Sequence, residues 1–174
     1  MNKLVSIVLM VIFLLFIGCG DDFMKTLPSQ KVELSRYLGT WYEIARIPSW
    51  FESDLYGVTA TYSLKSDGQV EVRNSGYQGN LKGELKTAIG NAWLPNSDES
   101  GRLKVSFFWP VAADYVVVEL DKDYTYAMVG SGKDYLWILS RTKKLDEATY
   151  RTLLERAKAL GFNVSKLEKV AQPE

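Results

Sequence analysis

The chain has 174 residues, equal numbers of basic and acidic side chains, no histidine and a single cysteine. That length suffices for one domain with its own core, and the zero net charge gives no indication of a nucleic-acid partner. Without histidine the chain lacks the usual general base of nucleophilic catalysis and the commonest metal ligand, and one cysteine excludes an intrachain disulfide. We therefore expect no metal centre, no cofactor and no enzyme activity.

An apolar leader opens the chain. Lys3 precedes a run from Leu4 to Ile17 that only Ser6 interrupts and that ends at Gly18-Cys19. The run has the length of a signal-peptide core and is short for a membrane-spanning helix. Its end resembles a bacterial lipobox, which implies that residues 1–18 are removed and that Cys19 carries diacylglycerol and further acyl chains such as palmitate. An ordinary secretory signal, in which Cys19 is incidental, stays open.

Residues 19–33 are expected to form an acylated polar tether. Each buried CH₂ contributes about 0.8 kcal/mol, so several acyl chains on one cysteine hold a protein firmly on a bilayer. In enterobacterial lipoproteins, which this leader resembles, an Asp after the acylated cysteine tends to retain the protein in the inner membrane, and here that residue is Gly20. The expected location is therefore the bacterial outer membrane with the domain facing the periplasm. Asp21 and Asp22 leave the choice of membrane open.

The remainder of the chain reads as short strands separated by turns. Residues 58–65 alternate between apolar and polar side chains, and Ser66-Asp67-Gly68 forms a hairpin turn. A long loop at 48–57 with exposed aromatic residues is expected to cover a barrel end or to bind a partner. The expected strands are 41–47, 58–65, 69–77, 82–94, 102–108, 114–120, 124–130 and 134–141. Eight strands at this spacing are typical of an up-and-down barrel or a sandwich.

The pattern changes after the eighth expected strand. Asp146 is a suitable helix cap, apolar residues then recur at intervals of three and four, and Gly161 is a suitable stop. Residues 162–167 resemble a last short strand. The sequence thus predicts eight strands, one helix and a final strand.

Three short blocks of the sequence resemble the signature of the lipocalins. They are Gly39-Thr-Trp41, then Asp123-Tyr124 in a turn that enters a strand, then Arg141 at the end of the next strand. The longer runs 37–46, 58–64, 103–108 and 134–142 resemble the bacterial outer-membrane branch of that family, which is related to apolipoprotein D. The resemblance covers about residues 34–172. It implies an all-β domain at 34–174, an eight-stranded antiparallel up-and-down barrel with a C-terminal helix packed outside and a short final strand.

The resemblance also implies what the signature residues do. Trp41 should lie across the closed end of the barrel, and Arg141 should stack on it and donate to nearby backbone carbonyls. A guanidinium over an indole contributes about 0.5–2 kcal/mol. Gly39, Asp123 and Tyr124 are then structural as well, and none of the signature residues belongs to a ligand site.

The lining of the barrel interior follows from strand parity. If Arg141 points inward at the base, alternate residues along its strand should do the same. The predicted ligand-binding residues are Val58, Ala60, Tyr62, Val105, Phe107, Tyr115, Val117, Tyr126, Met128, Tyr135 and Trp137. Parity also points Glu43 inward, where burial of a carboxylate costs free energy unless the group is paired with a cation or solvated. Either a bulge reverses the parity there or Glu43 anchors a ligand headgroup.

These features together predict a lipid-anchored, non-enzymatic lipocalin. It would bind a fatty acid, a lysophospholipid or another amphiphile and store or transport it in the cell envelope. Its partners would be that ligand and the membrane, through Cys19, with no nucleic acid, and a homodimer stays open. Two alternatives remain, an envelope lipoprotein with a filled interior that serves a structural or partner-binding role, and an enzyme acting in the lumen.

Overall fold

The computed structural model describes residues 20–49, 52 and 54–174. Cys19 and the loop aromatics Trp50 and Phe51 lie outside this part of the chain. The strands are β1 (Gly39–Arg46), β2 (Leu55–Leu64), β3 (Val70–Gln78), β4 (Leu85–Trp93), β5 (Arg102–Phe108), β6 (Val111–Leu120), β7 (Tyr126–Gly130), β8 (Leu136–Ser140) and β9 (Glu168–Lys169). The helices are α1 (Gly20–Thr26), α2 (Leu34–Tyr37) and α3 (Glu147–Ala159), and a 3₁₀ turn spans Val164–Lys166.

The first eight strands form a closed antiparallel barrel. Each strand from β2 to β8 pairs with the next in sequence, and β1 pairs with β8 on one side and β2 on the other. The short β9 adds to β1 at Ala45 and Arg46, beyond the stretch that pairs with β2. Closure leaves no long unpaired edge that could template aggregation. The predicted eight-stranded barrel with an outer helix is confirmed.

Apolar side chains form one core outside the barrel and one inside it. The outer core lies under α3, which begins at the Asp146 cap, where the carboxylate accepts from the Thr149 N–H at 2.8 Å. It contains Met24, Leu27, Ile44, Ala45, Ile47, Val116, Val118, Met128, Leu136, Ile138, Tyr150, Leu153, Ala157 and Phe162. The inner core fills part of the lumen around Trp41. Strands β7 and β8 are therefore buried on both faces.

Two sequence expectations fail at the chain ends. Residues 20–33 are not a free polar tether, because α1 packs on the barrel with Met24 and Leu27 only 5% and 2% exposed. The expected final strand at 162–167 was placed too early: the Asn163 side chain accepts from the Ser165 N–H and turns the backbone into the 3₁₀ turn at Val164–Lys166, and the final strand is β9 at Glu168–Lys169. In the described residues, no helix has the length and apolar character needed to cross a bilayer.

Candidate ligand-binding site

The barrel has two ends that differ in their loops. We call the end that carries the loops at 65–69, 94–101 and 121–125 the floor end, because Trp41 lies there. The opposite end carries the loops at 47–54, 79–84, 109–110 and 131–135, and we call it the mouth end. This assignment follows directly from the antiparallel connectivity.

The floor is built on the stack of Arg141 over Trp41. Trp41 is fully buried, its Nε1 donates to the Tyr37 carbonyl at 2.8 Å, and the Arg141 Cζ lies 3.8 Å from the ring centroid. The guanidinium also donates to the carbonyls of residues 36, 37, 38 and 40. Gly39 has a φ of +91°, in the left-handed region, beside Arg141. These contacts match the geometry that the resemblance implies.

The turn at 121–125 is held by a residue that sequence reasoning missed. Within the part of the chain that the structure describes, the Asp123 carboxylate makes only an exposed ion pair with Lys122, at 3.0 Å. The Asp121 carboxylate accepts from Thr125 Oγ1 at 2.6 Å and from the backbone N–H groups of Asp123 and Thr125, and the Thr125 hydroxyl lowers its pKa. Tyr124, at φ +61°, accepts from the Glu33 N–H through its hydroxyl. An Asp that opens a turn is the sequence signal that could have identified Asp121.

Most of the predicted lining residues meet inside the barrel. Ala60, Tyr62, Val105, Phe107, Tyr115, Val117 and Trp137 belong to the inner core. A cavity of about 270 Å³ lies among them, lined by Tyr62, Val105, Tyr115 and Val117 and extending to the floor-end loops at 67–69 and 93–94. The predicted ligand-binding set left out other lumen residues, namely Val32, Leu34, Tyr37, Val70, Val72, Ala92, Leu103, Ala127 and Val129. The alternation Val70/Val72 was a usable signal, whereas residues 32–37 reach the lumen only through tertiary packing.

Tyr126 and Met128 were assigned to the wrong face. Met128 lies in the outer core, opposite Ile138, and Tyr126 packs against that core. The residues of β7 that face the lumen are Ala127 and Val129, and Val129 pairs with Trp137. Because α3 covers β7 from outside, both of its faces are apolar, and hydrophobicity alone cannot distinguish them.

Val58 and Tyr135 lie at the margins of the lumen. Val58 is 4% exposed but belongs to neither core, and it lies within the bulge between Tyr56 and Thr59. Its Cγ2 lies 3.0 Å from where a Cβ on Gly76 would stand, so it packs directly on that glycine. Tyr135 lies in the β7–β8 loop at the mouth end, stacked on Trp137 with ring centroids 6.3 Å apart. Neither residue lines the 270 Å³ cavity.

Three tyrosine hydroxyls form a chain inside the lumen. The Tyr115 hydroxyl lies 2.8 Å from those of Tyr37 and Tyr62. Burial raises the pKa of all three side chains, that of Tyr62 to about 12, so they are neutral at physiological pH. Two hydrogen bonds use two of the three hydroxyl hydrogens. One hydrogen therefore remains for an oxygen atom of a ligand.

A buried charged cluster lies where Glu43 posed a difficulty for the sequence analysis. Glu43, Arg46 and Glu52 are 4%, 6% and 8% exposed, and Arg46 Nη1 lies 2.7 Å from Glu43 Oε1. Arg46 Nη2 donates to the carbonyls of Glu52 and Leu55, and Trp137 Nε1 donates to Glu52 Oε2 at 3.2 Å. The β1 bulge falls between Glu43 and Ala45, after Glu43. Glu43 therefore keeps the inward parity of Trp41 and is paired.

One guanidinium serves two carboxylates in this cluster. The pKa of Glu43 is raised to about 8, mainly by burial and then by the Glu52 carboxylate. Arg46 lowers this pKa but does not offset the two effects. Burial also raises the pKa of Glu52. Since burial disfavours a second negative charge, Glu43 holds a proton in the folded protein near neutral pH.

The protonation of Glu43 predicts how stability depends on pH. The unfolded chain releases this proton near pH 4.5, whereas the folded chain keeps it to about pH 8. The stabilisation is therefore complete below pH 4.5 and is lost as the pH rises through about 8, with a slope of up to about 1.4 kcal/mol per pH unit. We expect Glu43→Gln to flatten this slope in urea unfolding measured from pH 4 to pH 9. The control Glu71→Gln, at a side chain that is 35% exposed, should retain the slope of the protein without substitutions, and an equal slope in Glu43→Gln would contradict the assignment.

Comparison with known proteins identifies the family. The lipocalin-like domain matches residues 32–172. The outer membrane lipoprotein Blc of Vibrio cholerae serotype O1 is 41% identical over 169 residues, 96% of this chain and 98% of that protein. Bovine apolipoprotein D is 33% identical over 147 residues, 79% of this chain and 76% of that protein. The solved structure of insecticyanin from the tobacco hornworm superposes with a TM-score of 0.68 at 21% identity, covering 85% of each chain, which supports the fold.

Proposed function

The chain belongs to the lipocalin family, and from that membership and the lumen described above we propose that it binds a single-chain amphiphile in the bacterial envelope. The ligand class is a fatty acid or a lysophospholipid, with its acyl chain in the barrel and its polar end toward the mouth. The protein would store or carry such lipids and would not transform them. Among the described residues there is no cluster of His, Cys, Asp and Glu that could hold a metal ion.

The observation that supports this function most directly is the aromatic and aliphatic lining of the 270 Å³ cavity. Burying apolar ligand surface contributes about 25 cal/mol per Å². The cavity size is near the lower limit of small-molecule sites, which suits a slender acyl chain better than a broad ring system. The spare hydroxyl hydrogen of the tyrosine chain supplies one polar contact within this apolar wall.

The charged cluster supports a choice between headgroups. Near neutral pH Glu43 holds its proton and Arg46 balances Glu52, but a cation bound beside the cluster would favour ionisation of Glu43, after which the two carboxylates exceed Arg46 by one negative charge. An amine on the ligand would neutralise that charge, whereas a free carboxylate would be repelled. We therefore propose that an amine-bearing lysophospholipid such as lysophosphatidylethanolamine binds more tightly than the free fatty acid.

We also propose that Cys19 anchors the protein by its acyl chains to the outer membrane. The Vibrio cholerae relative is named an outer membrane lipoprotein, and its alignment covers 96% of this chain, so it spans the position of Cys19. The lipobox-like end of the leader supports the same modification.

Filling the cavity tests the proposed function. Ala92 is 2% exposed, lines the cavity, and pairs with Val70 and Val105. We expect Ala92→Phe to weaken lysophosphatidylethanolamine binding by about tenfold or more in calorimetric titration, because the ring occupies the space of the acyl chain. The matched control is Ala148→Phe on the exposed first turn of α3, which should bind as the unmodified protein does.

Circular dichroism separates loss of binding from loss of the fold. If the ring at position 92 unfolds the barrel, Val105→Phe makes the same test at a half-buried position of the cavity wall. Saturable binding with equal affinity in the control and in both lumen variants would overturn the proposed site.

A further inference from the structure

The mouth end carries an apolar surface that the lumen does not use. Phe108 and Trp109 at the tip of the β5–β6 hairpin are 82% and 83% exposed, and Val111 is 50% exposed. The whole stretch 105–113 contains no charged residue. Solvent-exposed aromatic side chains in such a concentration mark a surface that binds something.

The apolar surface continues onto neighbouring strands. Ile89, on β4, is 51% exposed. It lies two residues from Asn91 toward the mouth, and Phe108 lies two residues from Ser106, the partner of Asn91 on β5, in the same direction. Leu85, at the start of β4, is 54% exposed. Among the described residues eight large apolar side chains are exposed, and only Leu64 and Leu94 of these lie at the floor end. We call Leu85, Ile89, Phe108, Trp109 and Val111 the mouth patch.

The N-terminal segment runs toward the same end. The Gln30 N–H donates to the Val117 carbonyl, Leu27 packs on Gly130 at the end of β7, and Met24 Sδ accepts from the Gly132 N–H at 2.8 Å in the mouth-end β7–β8 loop. The path from residue 30 to residue 24 thus follows the barrel wall toward the mouth.

The first turn of α1 follows directly after Cys19, the residue that is proposed to carry the acyl chains. Arg102 fastens the helix by donating to the carbonyls of Met24 and Leu27. Gly20 lies four residues before Met24, about 6 Å along the helix axis, and Cys19 precedes it directly. The β7–β8 loop is the next mouth-end loop around the rim after the β5–β6 hairpin. The described part of α1, which the proposed anchor Cys19 precedes in the sequence, therefore contacts the same end of the barrel as the mouth patch.

We propose that the mouth patch docks on the membrane that holds the anchor, so that the lumen faces the lipid surface. The inference rests on the proposed function, because it takes Cys19 as the acylated residue. A fixed anchor at one side of the mouth makes insertion of Trp109 and Phe108 effectively intramolecular, which favours it strongly. Trp and Tyr side chains prefer the interface between headgroups and acyl chains. An amphiphile could then pass between bilayer and lumen without crossing water.

The test uses the acylated full chain in phosphatidylethanolamine–phosphatidylglycerol vesicles that contain lipids brominated on the acyl chain. Bromine quenches tryptophan only within the bilayer, so quenching reports the depth of Trp109. We expect clear quenching in the acylated chain without substitutions, and we expect Trp109→Phe to remove most of it. Leu94→Ser at the floor end is the matched control and should leave quenching unchanged, whereas Phe108→Ser should reduce it.

Two outcomes would overturn the docking proposal. One is equal quenching in the acylated chain without substitutions and in its Trp109→Phe variant. The other is a dimer, measured by light scattering, that Phe108→Ser converts to a monomer while neither the dimer nor the monomer shows quenching. The mouth patch would then bind a second copy of the chain. Calorimetric titration with soluble lysophosphatidylethanolamine is run on the same variants. Normal binding with absent quenching contradicts docking alone, and absent binding in the unmodified protein contradicts the proposed function.

Discussion

Replacing Arg46 by methionine is expected to lower the free energy of unfolding by about 3–5 kcal/mol, because it leaves the buried Glu52 carboxylate without a nearby cation and Glu43 without its hydrogen-bond donor. Arg46 is 6% exposed, lies 2.7 Å from the Glu43 carboxylate, and donates to two backbone carbonyls of the segment at 52–55. Urea unfolding followed by circular dichroism measures the loss. The variant should also bind lysophosphatidylethanolamine more weakly, because Glu52 and Trp137 lose their positioning.

The matched control for this variant is Arg73→Met. Arg73 forms an ion pair with Glu71 at 3.2 Å, but its side chain is 47% exposed, so the loss should stay below about 1 kcal/mol. The double variant Arg46→Met/Glu43→Gln should recover part of the stability, because it replaces an acid that has lost its hydrogen-bond donor by a group that cannot ionise. A loss in Arg46→Met no larger than that in Arg73→Met would show that the buried cluster does not stabilise the fold.

Replacing Trp41 by alanine is expected to cost about 3–5 kcal/mol of unfolding free energy, because it opens a cavity in the floor of the barrel. The indole is fully buried between Arg141, at 3.8 Å, and the Tyr37 ring, at a centroid distance of 5.0 Å. Trp41→Phe should cost much less, since the Tyr37 carbonyl still accepts from Arg141 at 3.1 Å after losing the indole N–H. Urea unfolding again supplies the measurement.

The same substitution at Trp109 controls for the loss of an indole. Trp109 is 83% exposed, so Trp109→Ala should change stability by no more than about 0.5 kcal/mol. Trp41→Phe should keep ligand affinity within a few-fold, because Trp41 closes the floor and does not line the 270 Å³ cavity. A strong loss of affinity without a loss of stability would instead assign Trp41 to the binding site.

The barrel itself was predictable from the sequence because its signals are local. Period-two alternation between turn residues marks the strands, and Asp146 and Gly161 mark the limits of α3. The contact of Trp41 with Arg141 followed from family resemblance, since 100 residues separate the two and no local pattern joins them. Strands with one polar face were assigned to the correct side, as Tyr62, Val105 and Tyr115 show.

Only the tertiary structure decided which face of β7 points inward and where the N-terminal segment lies. Met128 and Val129 are equally apolar, and the choice between them depends on pairing with Trp137 and Ile138 in β8 and on cover from α3. The segment at 20–33 is polar enough to suggest a tether, yet it packs on the barrel because Met24 and Leu27 are part of the outer core. The cluster of Glu43, Arg46 and Glu52 depends on a bulge after Glu43, because one extra residue redirects every later side chain. Composition and periodicity determined the barrel, whereas register and long-range packing determined its site.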